Sequence, residues 1–399
     1  MREVLRKKDL DRLSAGRDRP DAVKVITGMR RCGKSTLMRQ YIDLIKGTGV
    51  NEEDVLYLNM ESASTVEIED FKDLNRIFAR SLPKNRRCYV FLDEIQRVKE
   101  WERAVNSLMT DFDADIYITG SNAYLLSSEL STYLSGRYVE IDILPLSFKE
   151  YLELNPPVNG KTIAGRFEDY IWTGSLPMID PDSDPGFIRD HLTGICHTII
   201  SKDVSARKGI RNADTIFRIT DFLFHNIGNP ASANSTAGRL GENNVTVRNY
   251  MRFLEEAYIF YRAPRYDVAG NKLLSGTEKF YASDTGMRNA VLGMPRDGDI
   301  SRQIENIVYL ELRRRRYNVR VGSYLGKEID FTAEKGAKRE YFQISLTLLP
   351  DDVFEREVRS LREIGDSYPK TILTLDAVKR QPPGGIVHMN VIDWLLSDW

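Results

Sequence analysis

Cysteine and histidine are scarce in this chain, with three Cys and four His among 399 residues. Cys32, Cys88 and Cys196 are unclustered, which excludes a disulfide framework and zinc-type spacing and fits a reducing compartment. The histidines (191, 197, 225 and 388) are scattered, which argues against a metal cluster. No run approaches the ~20 apolar residues of a membrane span. Met1 to Leu13 interleaves charge with leucine and lacks the apolar core of a secretory signal, so the cytoplasm is the expected location. Charge of one sign is also missing: 57 Lys and Arg face 58 Asp and Glu, a net of −1. Any contact with nucleic acid must therefore come from a local patch. There is no internal repeat and no low-complexity tract.

What is present is an ordinary globular composition, 42% hydrophobic and 29% charged, long enough for two or three domains. Over the first 145 or so residues, short apolar runs alternate with helical stretches, the pattern of a mostly parallel sheet covered by helices. Strands are expected at Val23–Thr27, Val55–Leu58, Cys88–Leu92, Ile116–Thr119 and Val139–Ile143, and helices at Ser35–Ile45, Phe71–Leu82 and Trp101–Met109. Breaks follow at Asn155-Pro156-Pro157, Gly174–Pro177 and Pro181–Gly186. Helices are expected from about residue 190 to 260, then a hairpin to Tyr281. From Ser301 the order reads helix, two strands, helix, strand.

The strongest motif is Gly28-Met-Arg-Arg-Cys-Gly33-Lys34-Ser35, which fits G-x4-G-K-[ST] between a buried strand and a helix. That order aims backbone N–H groups and the positive helix end at a polyphosphate. Gly28 and Gly33 let the main chain approach the anion, Lys34 supplies a point charge and Ser35 a hydroxyl for Mg²⁺. Arg31, Cys32 and Thr36 complete the candidate cradle. Further on, Tyr89-Val-Phe-Leu-Asp93-Glu94 ends an apolar strand in two carboxylates that cannot stay in its core. Asp93 is expected to hold the magnesium's water shell and Glu94 to orient and deprotonate the attacking water. Ile116-Tyr-Ile-Thr119-Gly-Ser121-Asn122 ends between these motifs, so Ser121 or Asn122 is a candidate contact to the γ-phosphate or the water. Arg137, before the fifth strand, is either a surface residue or a source of transition-state charge, in its own subunit or a neighbour's. A guanine reader is absent: the only Asn-Lys, Asn271-Lys272, is followed by two leucines.

With these residues the chain resembles, nearly end to end, the prokaryotic ATP-binding proteins that join an N-terminal AAA-type ATPase domain to a C-terminal domain of unknown function. The resemblance rests on Ile26–Thr36, Phe91-Leu-Asp-Glu-Ile-Gln96, Thr119-Gly-Ser-Asn122, Leu134-Ser-Gly-Arg137 and Pro145-Leu-Ser-Phe148. It implies a P-loop α/β domain with an extra strand between loop and acid strands, ATP as nucleotide, Ser121–Asn122 as sensor and Arg137 as arginine finger.

From Thr215 to Arg262 the pattern fits a winged helix, with helices at Ile216–Ile227, Ser232–Leu240 and Val245–Ala257. In the third, Val247, Met251, Leu254 and Tyr258 form a core stripe, leaving Thr246, Arg248, Asn249 and Arg252 to face outward. Ser201 to Arg265 holds ten Lys/Arg against six Asp/Glu, a modest basic footprint. The C-terminal segment resembles the restriction-endonuclease-like fold. Glu305 stands for its helix acid and Asp330 for its strand acid, but the acid-x-Lys element reads Gln343-Ile-Ser345. Without that second carboxylate and lysine, metal affinity should drop and the nucleophile is unassisted, so an inactive relic serving in binding or assembly is expected. Arg313–Arg316 is a basic run spread around a whole helix, part of it necessarily structural.

The expected architecture is α/β: a P-loop domain over 1–150, a helical and winged-helix part over 151–285, and a restriction-endonuclease-like domain over 286–399. The expected activity is Mg²⁺-dependent ATP hydrolysis whose nucleotide state moves the other two domains on DNA or a protein partner, with a homo-oligomer if Arg137 acts in trans. A slow-turnover signalling or scaffold switch is the alternative, and an ATP-regulated nuclease the third.

Overall fold

A computed structural model describes residues 3–120, 134, 136–158, 160–206, 208–210, 213–293 and 299–398. Ser121 and Asn122 lie outside them. The chain forms two compact units, Met1–Pro145 with Glu256–Tyr258, and Leu146–Glu255 with Ile259–Trp399. Among the described residues no helix is long and apolar enough to cross a membrane.

The first unit holds five strands, β1 (Val23–Thr27), β2 (Val55–Asn59), β3 (Cys88–Asp93), β4 (Ala114–Thr119) and β5 (Tyr138–Asp142), with helices α1 (Lys7–Ala15), α2 (Lys34–Gly47), α3 (Phe71–Ser81) and α4 (Trp101–Asp111). The strands are all parallel, in the order β2-β3-β4-β1-β5, so β4 separates the loop strand from the acid strand. β1, β3 and β4 are buried along their whole length because both sheet faces are covered. Val23, Val25, Val90, Leu92, Ile116 and Ile118 pack with Leu74 and Phe78 of α3 and Val105 and Leu108 of α4. On alternate positions Phe91 and Tyr117 stack with ring centroids 4.8 Å apart and meet Tyr41 of α2. Lys24, also on β1, is buried against Asp115 of β4 and donates to the Arg19 carbonyl at 2.7 Å.

In the second unit helices α5 (Phe148–Leu154), α6 (Ile163–Thr173) and α7 (Pro185–Thr198) occupy the stretch where Pro and Gly predicted breaks. Those residues start and end helices instead: Pro185 is the first residue of α7, and Gly174 follows α6 with φ +78°. A Cβ at Gly174 would lie 2.2 Å from an Asp284 carboxylate oxygen. That carboxylate accepts from the Ser175 N–H at 2.6 Å and the Met287 N–H at 2.7 Å, buckling the loop to helix α11 (Thr285–Leu292). A π-helical segment, Ile199–Ala206, continues α7.

Helices α8 (Ala213–His225), α9 (Ala233–Leu240) and α10 (Asn244–Glu256) fall within two to three residues of expectation, with Val247, Met251 and Leu254 buried. Tyr258, the fourth member of the expected stripe, is buried but lies beyond the helix end. Strands β6 (Pro230–Ala231), β7 (Phe260–Asp267) and β8 (Lys272–Ala282) follow the order β6-β8-β7. They belong to one eight-stranded sheet that continues through β9 (Asn318–Tyr324), β10 (Lys327–Lys335), β11 (Lys338–Ile344), β12 (Lys370–Thr374) and β13 (Val387–Asn390). This sheet crosses residue 285, the expected boundary between middle and C-terminal segments. Between helices α12 (Ile300–Arg314) and α13 (Asp351–Arg362) there are three strands, where the sequence reading has two, and β13 with a short α14 (Val391–Leu396) adds to the end. Phe354, Val358 and Leu361 of α13 pack on Ile329, Tyr341 and Ile372 of the sheet.

Candidate nucleotide site

The parallel register brings the C-terminal ends of β1, β4 and β3 side by side, and the candidate residues sit at those ends. Gly28 leaves β1 with φ +140°, and a Cβ there would lie 2.2 Å from the Ile143 carbonyl oxygen, so only glycine fits. Arg31 (φ +71°) and Gly33 (φ +104°) are both in the left-handed region, which curls the loop back on itself. Cys32 is fully buried beneath this curl, and burial pushes its thiol pKa up, so it packs rather than reacts. Arg31 is exposed, while Ser35 and Thr36 are half-buried in the first turn of α2.

That turn is electrostatically open. It holds no acidic residue and its N-cap makes no side-chain bond, yet it carries Lys34. Lys34 is 4% exposed and donates to the Gly28 and Met29 carbonyls at 3.0 and 3.1 Å. Among the described residues no carboxylate pairs with it. A buried ammonium at the positive end of a helix, met only by neutral carbonyls, is an arrangement that an incoming anion relieves.

Asp93 is wholly buried at the end of β3 and accepts from the Thr119 hydroxyl and, at 3.2 Å, from the Tyr57 hydroxyl. Burial first, and Asp93 second, push the Tyr57 phenol up to about 12, so it stays a donor. Glu94 holds φ +55° and ψ +44°, a sparsely populated conformation for a side-chain-bearing residue. Its N–H donates to the Thr119 hydroxyl oxygen at 2.9 Å, and its carboxylate accepts from Gln96. Thr119 therefore couples the two acids, a role the sequence reading does not assign. Its signal is a hydroxyl as the last residue of a strand buried along its whole length.

Residues 20–152 match the family described as "AAA domain", and residues 164–298 a domain of unknown function (DUF8612). A Haemophilus influenzae protein named only "Uncharacterized protein" is 36% identical over 384 residues, which is 94% of this chain and 95% of that protein. The chain belongs to its family. Uncharacterized protein MJ1544 of Methanocaldococcus jannaschii is 30% identical over 378 residues, 90% of this chain and 81% of that one. A structure of Can2 from Sulfobacillus thermosulfidooxidans in complex with cyclic tetra-adenylate aligns over 97% of each chain at 9% identity, with a TM-score of 0.19, and carries no argument. The AAA domain accords with the five-stranded parallel sheet and points to nucleotide binding with ATPase-like activity.

For other candidates of this family member, geometry separates what the sequence groups together. Arg137 lies just before β5, whose first residue pairs with Val23 at the start of β1, and its carbonyl accepts from the Val23 N–H. The phosphate loop leaves the other end of β1, about 16 Å away at the rise of a parallel strand. Arg137 donates to the Leu134 carbonyl at 3.4 Å and to the Asn106 side-chain oxygen at 3.2 Å.

In the second unit the acids Glu305 and Asp330 come together with a lysine from neither of their elements. Lys279 of β8 meets Glu305 at 3.0 Å and Glu328 at 2.9 Å, and Tyr281 donates to Glu305 at 2.6 Å. Burial alone would lower the Lys279 pKa, but Glu305, Asp330 and Glu328 together raise it. Loss of water and then Glu305 hold the Asp330 carboxyl well above the usual range, while it accepts from the Ile344 N–H at 2.8 Å. Gln343 donates to Glu357 at 2.9 Å. Among the described residues no group of three or more acidic, His or Cys side chains is disposed to hold a metal ion. The basic run is mostly structural. Arg313 stacks on Tyr261, Arg314 pairs with Glu311 at 2.7 Å, and Arg315 meets Glu311 and the Trp394 carbonyl; Arg316 is exposed.

Proposed function

We propose that the chain is a Mg²⁺-dependent ATPase whose nucleotide state is read out by its second unit, acting on DNA or a protein partner. The observation that carries this is Lys34, buried at an uncapped helix start with only neutral carbonyls for company. Gly28 and the main chain from Arg31 to Thr36 would cradle the phosphates. Ser35 and Asp93 suit a magnesium ion: the first offers a hydroxyl, and the second is a buried carboxylate oriented by two hydroxyl donors. When bound, that ion supplies charge neutralisation on the β- and γ-phosphates. Glu94 orients and deprotonates the attacking water, with Ser121 and Asn122 as sensor. The position of Arg137 at the strand end opposite the loop supports action on a neighbouring copy's nucleotide, hence a homo-oligomer.

A winged-helix reading of residues 213–282 is supported by the order helix, strand, helix, helix, two strands, with β6 pairing β8. Arg248, Asn249 and Arg252 of α10 line a groove of about 420 Å³ with Ser232, Asn234, Arg262 and Glu278, which suits contact with a DNA backbone. A restriction-endonuclease-like reading of the C-terminal strands is supported by Glu305 on the helix and Asp330 on β10. Lys279 occupies the place a cation would need, which favours a binding or assembly role over cleavage. A slow-turnover switch is favoured by one contact, the Gln96 amide that holds the Glu94 carboxylate.

The test is phosphate release by the purified chain, with and without DNA, at two salt concentrations. ATP hydrolysis that DNA stimulates less at high salt supports the reading. ATP bound but retained for many minutes supports the switch, and no ATP binding at all defeats both.

A further inference from the structure

Arg6 lies far from the loop in sequence and touches it in space. It is 4% exposed and directly precedes α1. One guanidinium nitrogen donates to the Cys32 carbonyl at 3.1 Å and the other to the Leu144 carbonyl at 2.9 Å, with the Asp9 carboxylate 3.2 Å away. A guanidinium is buried at a cost unless its donors are met, and here main-chain oxygens of two separate segments each accept from one of its terminal nitrogens.

The carbonyl of Cys32 and the N–H of Gly33 belong to one planar trans peptide and point in opposite directions. Holding that oxygen on Arg6 fixes where the Gly33 N–H aims. A cationic donor on the oxygen also polarises the peptide and strengthens its N–H as a donor. The preceding peptide is set as well, because the Cys32 N–H donates to the Met29 carbonyl at 3.3 Å. Both peptides flanking Cys32 are thus oriented before any anion arrives, which removes an ordering cost from binding.

We propose that Arg6 is a positioning residue of the phosphate loop, which holds the Gly33 amide toward a bound polyphosphate from behind. The inference rests on the reading of this loop as an ATP cradle. It extends the nucleotide site to a segment before the matched AAA region, which begins at residue 20.

The test uses the full chain with Arg6→Gln and Arg6→Lys, a fluorescent ATP analogue and its ADP counterpart, steady-state ATPase kinetics and a melting curve for each variant. Arg6→Gln is expected to weaken both nucleotides by about tenfold or more, the effect of one charge-assisted hydrogen bond, and to raise KM while kcat stays within twofold. Arg6→Lys keeps the charge but not the fork that spans two carbonyls, and recovers part of the loss. Folded variants that bind both nucleotides with native affinity overturn the assignment. Failure of both variants to fold also overturns it, since Arg6 would then hold the domain rather than the loop. If the native chain binds no ATP while its melting curve is cooperative, the nucleotide reading itself falls, and Arg6's assignment with it.

Discussion

Lys34 and Lys279 are both buried, at 4% and 3% exposure, yet their charges are met in opposite ways. Lys34 rests on two neutral carbonyls, in a helix turn with no acid. Lys279 rests on two carboxylates, Glu305 and Glu328, with Asp330 close behind. The first arrangement leaves its charge facing only neutral groups among the described residues, which is what the proposed phosphate site requires. The second cancels its charge within the fold. What separates a ligand site from an internal strut is therefore whether the charges close, and a list of acids and lysines cannot show that.

The comparison is broken or sharpened by four substitutions. The largest effect is expected from Glu94→Gln, which should lower phosphate release by about 10²–10⁴ while ATP affinity stays within twofold. Unchanged turnover would remove Glu94 from the open site. Next, Lys279→Met leaves Glu305 with only the Tyr281 hydroxyl and Glu328 with Arg265 3.8 Å away, and should lower stability in urea titration by up to about 3 kcal/mol, with no change in ATP affinity. A neutral result would mean that this charge set is not closed.

The pH dependence of the same cluster follows from Asp330. Its carboxyl is held above its ordinary value in the fold by loss of water, Glu305 and Glu357, against Lys279 and the Ile344 N–H. The folded chain thus binds this proton more tightly than the unfolded one. Asp330's contribution is full below about pH 4 and is lost as pH rises through its folded value. Asp330→Asn should match the native chain near pH 4 and exceed its stability at pH 8. Equal stability across that range would contradict the shift. The smallest effect belongs to Tyr57→Phe, which removes one hydroxyl from Asp93 and should weaken the Mg²⁺ dependence of ATP binding about two- to tenfold.

The open site was largely legible in the sequence because its parts are local. Gly28–Ser35 declares itself by spacing between a strand and a helix, and Asp93–Glu94 by two acids closing an apolar run. Thr119 escaped notice because a buried hydroxyl resembles any β-branched strand residue until its partners are known. Arg6 escaped because it reaches Cys32 across 26 residues and Leu144 across 138. The closed cluster was half legible. Glu305 and Asp330 were readable from helix and strand context, but Lys279 arrives on β8, whose place in the eight-stranded sheet no local pattern reveals. The expected count of two strands after α12 is one short of the three observed, β9, β10 and β11, although Asp330 and Gln343 do fall on successive strands. Arg137 was read correctly as lying just before β5, but the motif order does not say whose nucleotide it serves, its own subunit's or a neighbour's.

The most direct test of an open charge at Lys34 is calorimetric titration of Mg·ATP into the native chain and into Lys34→Ala. Saturable binding by the native chain, weakened about a hundredfold or more in a variant that melts at the native temperature, is the expected result. Equal affinity in the two chains, or no binding by either, would contradict it.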